Sequence, residues 1–157
     1  MEILVHIEIA KNGNVKYEYK NSMLIVDRIL HPPMCYPYNY GYIPKTLAGD
    51  GDPLDAIVIT ESVLQPGCYL KCYPIGMLVT EDEAGMDEKI ICVPISKIDP
   101  TYENITNLNH LPEHILKKIE FFFENYKKME SGKWVKIHGF RNADIAIQTI
   151  KDSKINL

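Results

Sequence analysis

Three carboxylates fall within six residues at Asp50-Gly51-Asp52-Pro53-Leu54-Asp55, on a segment that Gly and Pro force to bend. In an extended stretch Asp50 and Asp52 point to one side, and the bend can bring Asp55 to join them. Two such charges about 5 Å apart repel by roughly 3 kcal/mol at an effective dielectric near ~20. The segment is therefore either a solvated turn with its acids splayed outward or a convergent set that closes on a cation. More acids lie elsewhere. Glu81-Asp82-Glu83-Ala84-Gly85-Met86-Asp87-Glu88-Lys89 joins two apolar stretches like a hairpin with acids at both shoulders. Glu8 and Glu18 lie inside strand-like segments, where acidic residues are disfavoured. Glu8 shares its strand face with His6 and Ala10, not with Ile7 and Ile9. A solvent-facing strand side is the other reading of these two.

All-oxygen, acid-rich ligation suits Mg²⁺, Mn²⁺ or Ca²⁺ rather than zinc. An EF-hand is excluded, because Leu54 stands where a third ligand is needed and Asp55 where glycine is needed. The histidines have no ligand spacing beyond His110 and His114, which straddle Pro112 and read as capping or surface residues. Cations accompany the acids. Lys16 precedes Glu18 by two positions, Lys89 follows Asp87 by two, Arg28 ends a strand-like run, and Lys127 ends a helical one. A polyanion needs such a mixture, with metal for some phosphate oxygens and Arg or Lys for the rest. Tyr36, Tyr40 and Tyr42 crowd a proline-rich loop, where a phenol can pack or donate to a phosphate oxygen. No nucleotide-cradling G-x-x-x-x-G-K-[ST] or G-x-G-x-x-G occurs, and no G-x-S-x-G for a serine hydrolase.

The elements that must position these side chains come from a chain of 157 residues, 46% apolar and 24% charged. Those values suit a single domain over 1–157 and exclude disorder, fibres and a disulfide miniprotein. A net charge of −4 argues against a nucleic-acid partner. The apolar runs are too short for a membrane span, and Met1-Glu2 opens without a basic leader, so a cytoplasmic location is expected. Cys68 and Cys72 would sit about 13 Å apart along a strand, too far for a disulfide, so reduced and mostly buried thiols are expected. Strand candidates are residues 3–9, 15–19, 23–30, 56–60, 68–78, 89–94 and 134–139. Four prolines between positions 32 and 44 exclude a helix or a central strand there. A helix is expected over Glu113 to Lys128, with apolar residues at helical spacing and Pro112 suited to its first position. Asn142 is placed to cap a second helix over Ala143 to Lys151. Many strands followed by two helices describe an α+β fold, a β-barrel or sandwich with helices outside.

The motifs as a set resemble the family I soluble inorganic pyrophosphatases. Asp50-Gly51-Asp52-Pro53-Leu54-Asp55 is similar to that family's signature, and the other motifs follow in the family's order. They are Ile7-Glu8-Ile9, Lys16-Tyr17-Glu18, Val26-Asp27-Arg28, Tyr36-Pro37-x-Asn39-Tyr40-Gly41, Asp82-Glu83-Ala84-Gly85-x-Asp87-x-Lys89, Phe122-Phe123-Glu124-x-Tyr126-Lys127 and Gly132-Lys133-Trp134-Val135-Lys136. The resemblance covers about residues 5 to 140. It implies a five-stranded, OB-like β-barrel flanked by α-helices, with the site at the barrel mouth. It also implies Mg²⁺-dependent hydrolysis of inorganic pyrophosphate to two orthophosphates by a metal-activated water.

Matched by position, Asp50, Asp55 and Asp87 resemble the primary metal ligands. Glu8, Glu18 and Asp82 resemble ligands, direct or through water, for metals that arrive with substrate. Asp52 resembles the residue that takes a proton from the attacking water. Lys16, Arg28, Tyr40, Tyr126, Lys127 and Lys89 resemble the substrate grip, with Tyr36 a nearby support. Ala10 and Tyr73 depart from the family's usual Pro and Arg. The family places the long helix at subunit contacts, and Phe121 lies roughly 150° from the apolar stripe by the 100° step per residue. A homo-oligomer is therefore expected, a hexamer rather than a dimer, with Phe121 in an interface. The competing classes are a non-catalytic OB-type binding module and a broader metal-dependent phosphatase or nuclease. The first would want aromatics and a positive groove in place of these acids.

Overall fold

The computed structural model of the chain describes residues 1–155. Strand β1 (Ile3–Ile9) buries Ile3, Val5, Ile7 and Ile9 and turns Leu4, His6 and Glu8 to its other face, as the two-residue period requires. Its antiparallel neighbours are β4 (Asn39–Tyr42) on one side and β6 (Tyr69–Asp82) on the other. From β4 the sheet continues through β5 (Asp55–Val58) and β7 (Gly85–Pro94) to β6. The β1–β6 pairing thus closes a ring of five strands in the order β1-β4-β5-β7-β6. Closure removes the free edges that an open sheet would expose. β8 (Val135–Asn142) pairs with the far side of β6. β2 (Val15–Lys20) and β3 (Met23–Ile29) form a separate two-stranded ribbon. This is the expected α+β class, with an OB-like ring and helices packed against it.

Strand β4 corrects the exclusion drawn from the prolines. Pro32, Pro33 and Pro37 precede it and Pro44 follows it, so Asn39–Tyr42 pairs with both β1 and β5. A proline count over a window cannot resolve a strand of 4 residues fitted between the prolines. The fit to β1 is close. A Cβ on Gly41 would stand 1.7 Å from the His6 carbonyl oxygen, so only glycine is accommodated there.

Helix α1 (Glu113–Asn125) buries Ile119, Phe122 and Phe123 and ends three residues before Lys128, with Tyr126 as its C-cap. Pro112 occupies the cap position and not the first helical one. In α2 (Ala143–Ser153) the expected cap takes a different form. The Asn142 side chain makes no cap bond; the Ala143 N–H donates instead to Asn107 Oδ1 at 3.1 Å. A cap delivered from another part of the chain leaves no local sequence pattern. The core has two lobes. One joins Ile57, Leu78 and Ile91 to Phe122 and Phe123 of α1, and the other joins Val5, Val58 and Ile90 to Ala146 and Ile150 of α2. All four cysteines are free, with Cys72 and Cys92 buried and Cys35 exposed. Among the described residues no helix is long and apolar enough to cross a membrane.

Candidate active site

Every side chain singled out for the site lines one cavity of about 510 Å³ at the mouth of the ring. β1 contributes Glu8, and the ribbon contributes Lys16, Glu18 and Arg28, with Lys16 opposite Arg28 across its two strands. β4 and the loop before it supply Tyr40 and Tyr36. Asp50 and Asp52 come from the bend ahead of β5, and Asp55 is the first residue of that strand. The β6–β7 hairpin supplies Asp82, Asp87 and Lys89, and the end of α1 supplies Tyr126 and Lys127.

The acidic bend holds itself together. Gly51 has φ of +89°, a conformation that side chains disfavour. The Ala48 N–H donates to the Asp52 carbonyl at 2.8 Å, and the Asp52 N–H donates to Asp50 Oδ1 at 3.1 Å. Asp50 is half-buried, while Asp52 stays exposed. On the hairpin, Asp82 pairs with Gly85, which leaves Glu83 and Ala84 as the turn and sets acids at both shoulders as expected.

Lys89 is the organising charge. It is 2% exposed, and its Nζ donates to Tyr40 Oη at 2.6 Å, Asp87 Oδ2 at 2.9 Å and Asp55 Oδ2 at 3.2 Å. The Tyr40 hydroxyl in turn donates to Asp55 Oδ2 at 2.6 Å. Burial opposes the Lys89 charge, but Asp55 and Asp87 outweigh it and hold the ammonium form well above its usual range. Asp55 feels the opposite balance. Burial and the Asp87 charge push its carboxyl up to about 6, even against Lys89 and Tyr40. Glu8 is pushed up to about 7, by burial first, with Asp55, Glu18 and Asp27 adding to it and Lys16 opposing.

Elsewhere the charges form separate pairs. Lys127 Nζ meets Asp82 at 3.0 Å, Lys20 meets Glu18 at 3.0 Å, and Lys16 meets Asp27 at 3.8 Å. Arg28 Nε is buried without a hydrogen-bond partner. Sequence reasoning gave no site role to several lining residues, among them His6, Tyr19, Lys20 and Glu83, and the cavity also takes in Tyr42 of the tyrosine-rich loop. Glu83 stands beside a named acid and His6 on the strand face of Glu8, so adjacency was the available signal. Tyr19 and Lys20 arrive only because the ribbon folds over the ring.

The donor set suits a hard divalent cation, since the converging acids offer carboxylate oxygens. The Asp55 and Glu8 carboxyls are raised by burial first and by neighbouring acids in addition, and a cation beside them would favour their charged forms. Among the described residues no three His, Cys, Asp or Glu side chains are already drawn around one point. Closing on an ion therefore requires carboxylate side chains to rotate.

A family model described as inorganic pyrophosphatase matches residues 5–156. The inorganic pyrophosphatase of Nanoarchaeum equitans is 54% identical over 156 residues, covering 99% of this chain and 98% of that one. That of Aquifex pyrophilus is 48% identical over 152 residues, covering 96% and 86%. The solved structure of the Helicobacter pylori inorganic pyrophosphatase superposes with a TM-score of 0.93 at 45% identity, covering 97% of this chain and 91% of that one.

Proposed function

The chain belongs to the inorganic pyrophosphatase family, and from that premise we propose how its cavity carries out the reaction. The protein is an inorganic diphosphatase: it hydrolyses pyrophosphate to two orthophosphates. Our reading is that Asp50, Asp55 and Asp87 hold Mg²⁺, and that Glu8, Glu18 and Asp82 take further Mg²⁺ that enters with the substrate. Bound there, the metal would acidify the attacking water and clamp the attacking and leaving oxygens in line. Asp52 accepts the proton of that water. Its exposed position beside the half-buried Asp50, with no ion pair among the described residues, supports a base free to take it. Lys16, Arg28, Lys127 and Tyr126 meet the phosphate oxygens and stabilise charge growing on the leaving group. Lys89 and Tyr40 face the substrate while aligning Asp55 and Asp87. Tyr36 backs them, with its ring 5.1 Å from Tyr40 and 4.4 Å from Phe122.

One observation carries this reading: acids and cations from six strands, the acidic bend and a helix end meet in a single polar cavity. Phosphate release from pyrophosphate is expected with Mg²⁺, not with EDTA, and far faster than from ATP or a phosphomonoester. Turnover of another ester without pyrophosphate would overturn it. The two roles within the acidic bend are separable. Asp52→Asn is expected to bind metal and substrate yet lose about 10²–10⁴-fold in kcat, with no rescue by extra Mg²⁺. Asp55→Asn is expected to recover partly as Mg²⁺ is raised. The reverse pattern would exchange the two assignments.

We also propose one catalytic domain over 1–157, working in the cytoplasm as a homo-oligomer, a hexamer rather than a dimer. Free cysteines support a reducing compartment. Phe121 at 63% exposed, beside Met34 and Cys35, supports a subunit contact on α1. A monomeric mass at micromolar concentration would remove that part.

A further inference from the structure

The least explained polar group in the cavity is the imidazole of His6. It is 2% exposed, it lines the site, and its Nδ1 has no hydrogen-bond partner. Buried polar atoms are nearly always partnered, so an orphaned ring nitrogen in a residue that lines an acid-rich cavity calls for a partner. Strand alternation puts Glu8 on the same face, two residues along β1, and Glu18 of the ribbon closes over the same end. Tyr42 and Tyr69 flank the ring at centroid distances of 5.0 and 4.6 Å, each from the position paired with His6 on the neighbouring strand. The imidazole is thus held in place, while Glu8 and Glu18 retain the rotatable bonds needed to approach an ion.

We propose that His6 is a nitrogen ligand at the Glu8–Glu18 end of the cavity, making that end a site for a borderline divalent cation such as Mn²⁺ or Co²⁺. Imidazole added to carboxylates favours these ions over Mg²⁺, which takes oxygen donors and keeps its waters. The two tyrosines replace the usual hydrogen-bonded support by steric restraint of the ring. This inference rests on the reading that Glu8 and Glu18 hold metal. It adds a donor to that pair and distinguishes this end of the cavity from the Asp50–Asp55–Asp87 end.

The test follows Mn²⁺ bound to the full-length protein in the presence of imidodiphosphate, a non-hydrolysable diphosphate, by pulsed electron paramagnetic resonance at successive equivalents up to saturation. A directly bound ¹⁴N coupling is expected, converting to a ¹⁵N coupling when the protein is grown with ¹⁵N-histidine. His6→Val is expected to abolish it, to weaken Mn²⁺ binding about tenfold or more by calorimetry, and to change Mg²⁺ binding less than about threefold. Saturable Mn²⁺ binding with no histidine coupling would overturn the role of His6 and leave the carboxylate reading intact. A coupling that survives His6→Val would overturn it as well. Absence of saturable binding, or binding untouched by Glu8→Gln, would overturn both. Should His6→Val fail to fold, the labelled wild-type spectrum still decides, because His6 is the histidine that lines the cavity.

Discussion

The ring wall at β4–β5–β7 and the β2–β3 ribbon face each other across the same cavity and are built on opposite terms. In the wall, Lys89, Asp55, Asp87 and Tyr40 form a connected network in which the buried ammonium donates to all three neighbours. Phe123 and Tyr40 lie 4.9 and 5.2 Å from its Nζ and keep water away. In the ribbon, Tyr19, Met23, Val26 and Ile29 are each more than half exposed, and Arg28 Nε has no partner. The ribbon's base is tied down where the Asn12 N–H donates to the Tyr36 carbonyl at 2.8 Å and the Tyr36 N–H to Gly13 at 2.9 Å. The wall is preorganised before any ligand arrives. The ribbon presents charges that a polyanion would complete, a division that suits a hydrogen-bonded anchor for Asp55 and Asp87 on one side and an adjustable grip on the other.

The sharpest way to break this contrast is to remove the wall's cation. Lys89→Met is expected to destabilise the fold by about 3–5 kcal/mol, because two carboxylates remain buried without a counter-charge. Denaturant unfolding in EDTA measures it, and a loss below about 1 kcal/mol would show that the network is not what stiffens the wall. The corresponding change on the ribbon should leave the fold alone and strike function. Arg28→Ala is expected to lower kcat/KM for pyrophosphate by tenfold to hundredfold, the equivalent of about 1.5–3 kcal/mol for a lost charged hydrogen bond. An unfolding midpoint that moved as far as that of Lys89→Met would erase the distinction.

A smaller effect concerns pH. The folded chain raises Asp55 to about 6 from 3.8 and Glu8 to about 7 from 4.5, so it binds protons there more tightly than the unfolded chain does. Stability from that source is complete below about pH 4 and is lost as the pH rises through about 6 to 7. Thermal unfolding in EDTA should therefore show the advantage of wild type over Asp55→Asn shrinking between pH 4.5 and 7.5, and Mg²⁺ should restore wild type at the upper end. A pH-independent difference would contradict the raised carboxyl. The smallest effect belongs to the ribbon's outer face. Val26→Thr is expected to change stability by less than about 0.5 kcal/mol, as exposed substitutions do. A loss well above that would mean that this face is covered in solution.

Much of the molecule was legible beforehand because its signals are local. Alternation in Ile3–Ile9 marked a half-buried strand, helical spacing marked α1, and Asp50-Gly51-Asp52-Pro53-Leu54-Asp55 marked an acidic bend wherever it lay in space. The sequence by itself determined which residue types could do the chemistry, and the order of its motifs identified the family. Tertiary structure decided what each of those residues touches. Strand β4 exists because prolines fall just outside it and Gly41 lets it approach β1, a pairing that no local window reports. In the sequence Lys89 was one of several cations near the acids, matched to the substrate grip, and it became the centre of a buried network only when β4, β5 and β7 met. His6 looked like a strand residue with no ligand spacing. Its burial among Tyr42, Tyr69 and the ribbon, with one nitrogen left unpartnered, depends on contacts made across the closed ring, where distance along the chain no longer measures distance in space.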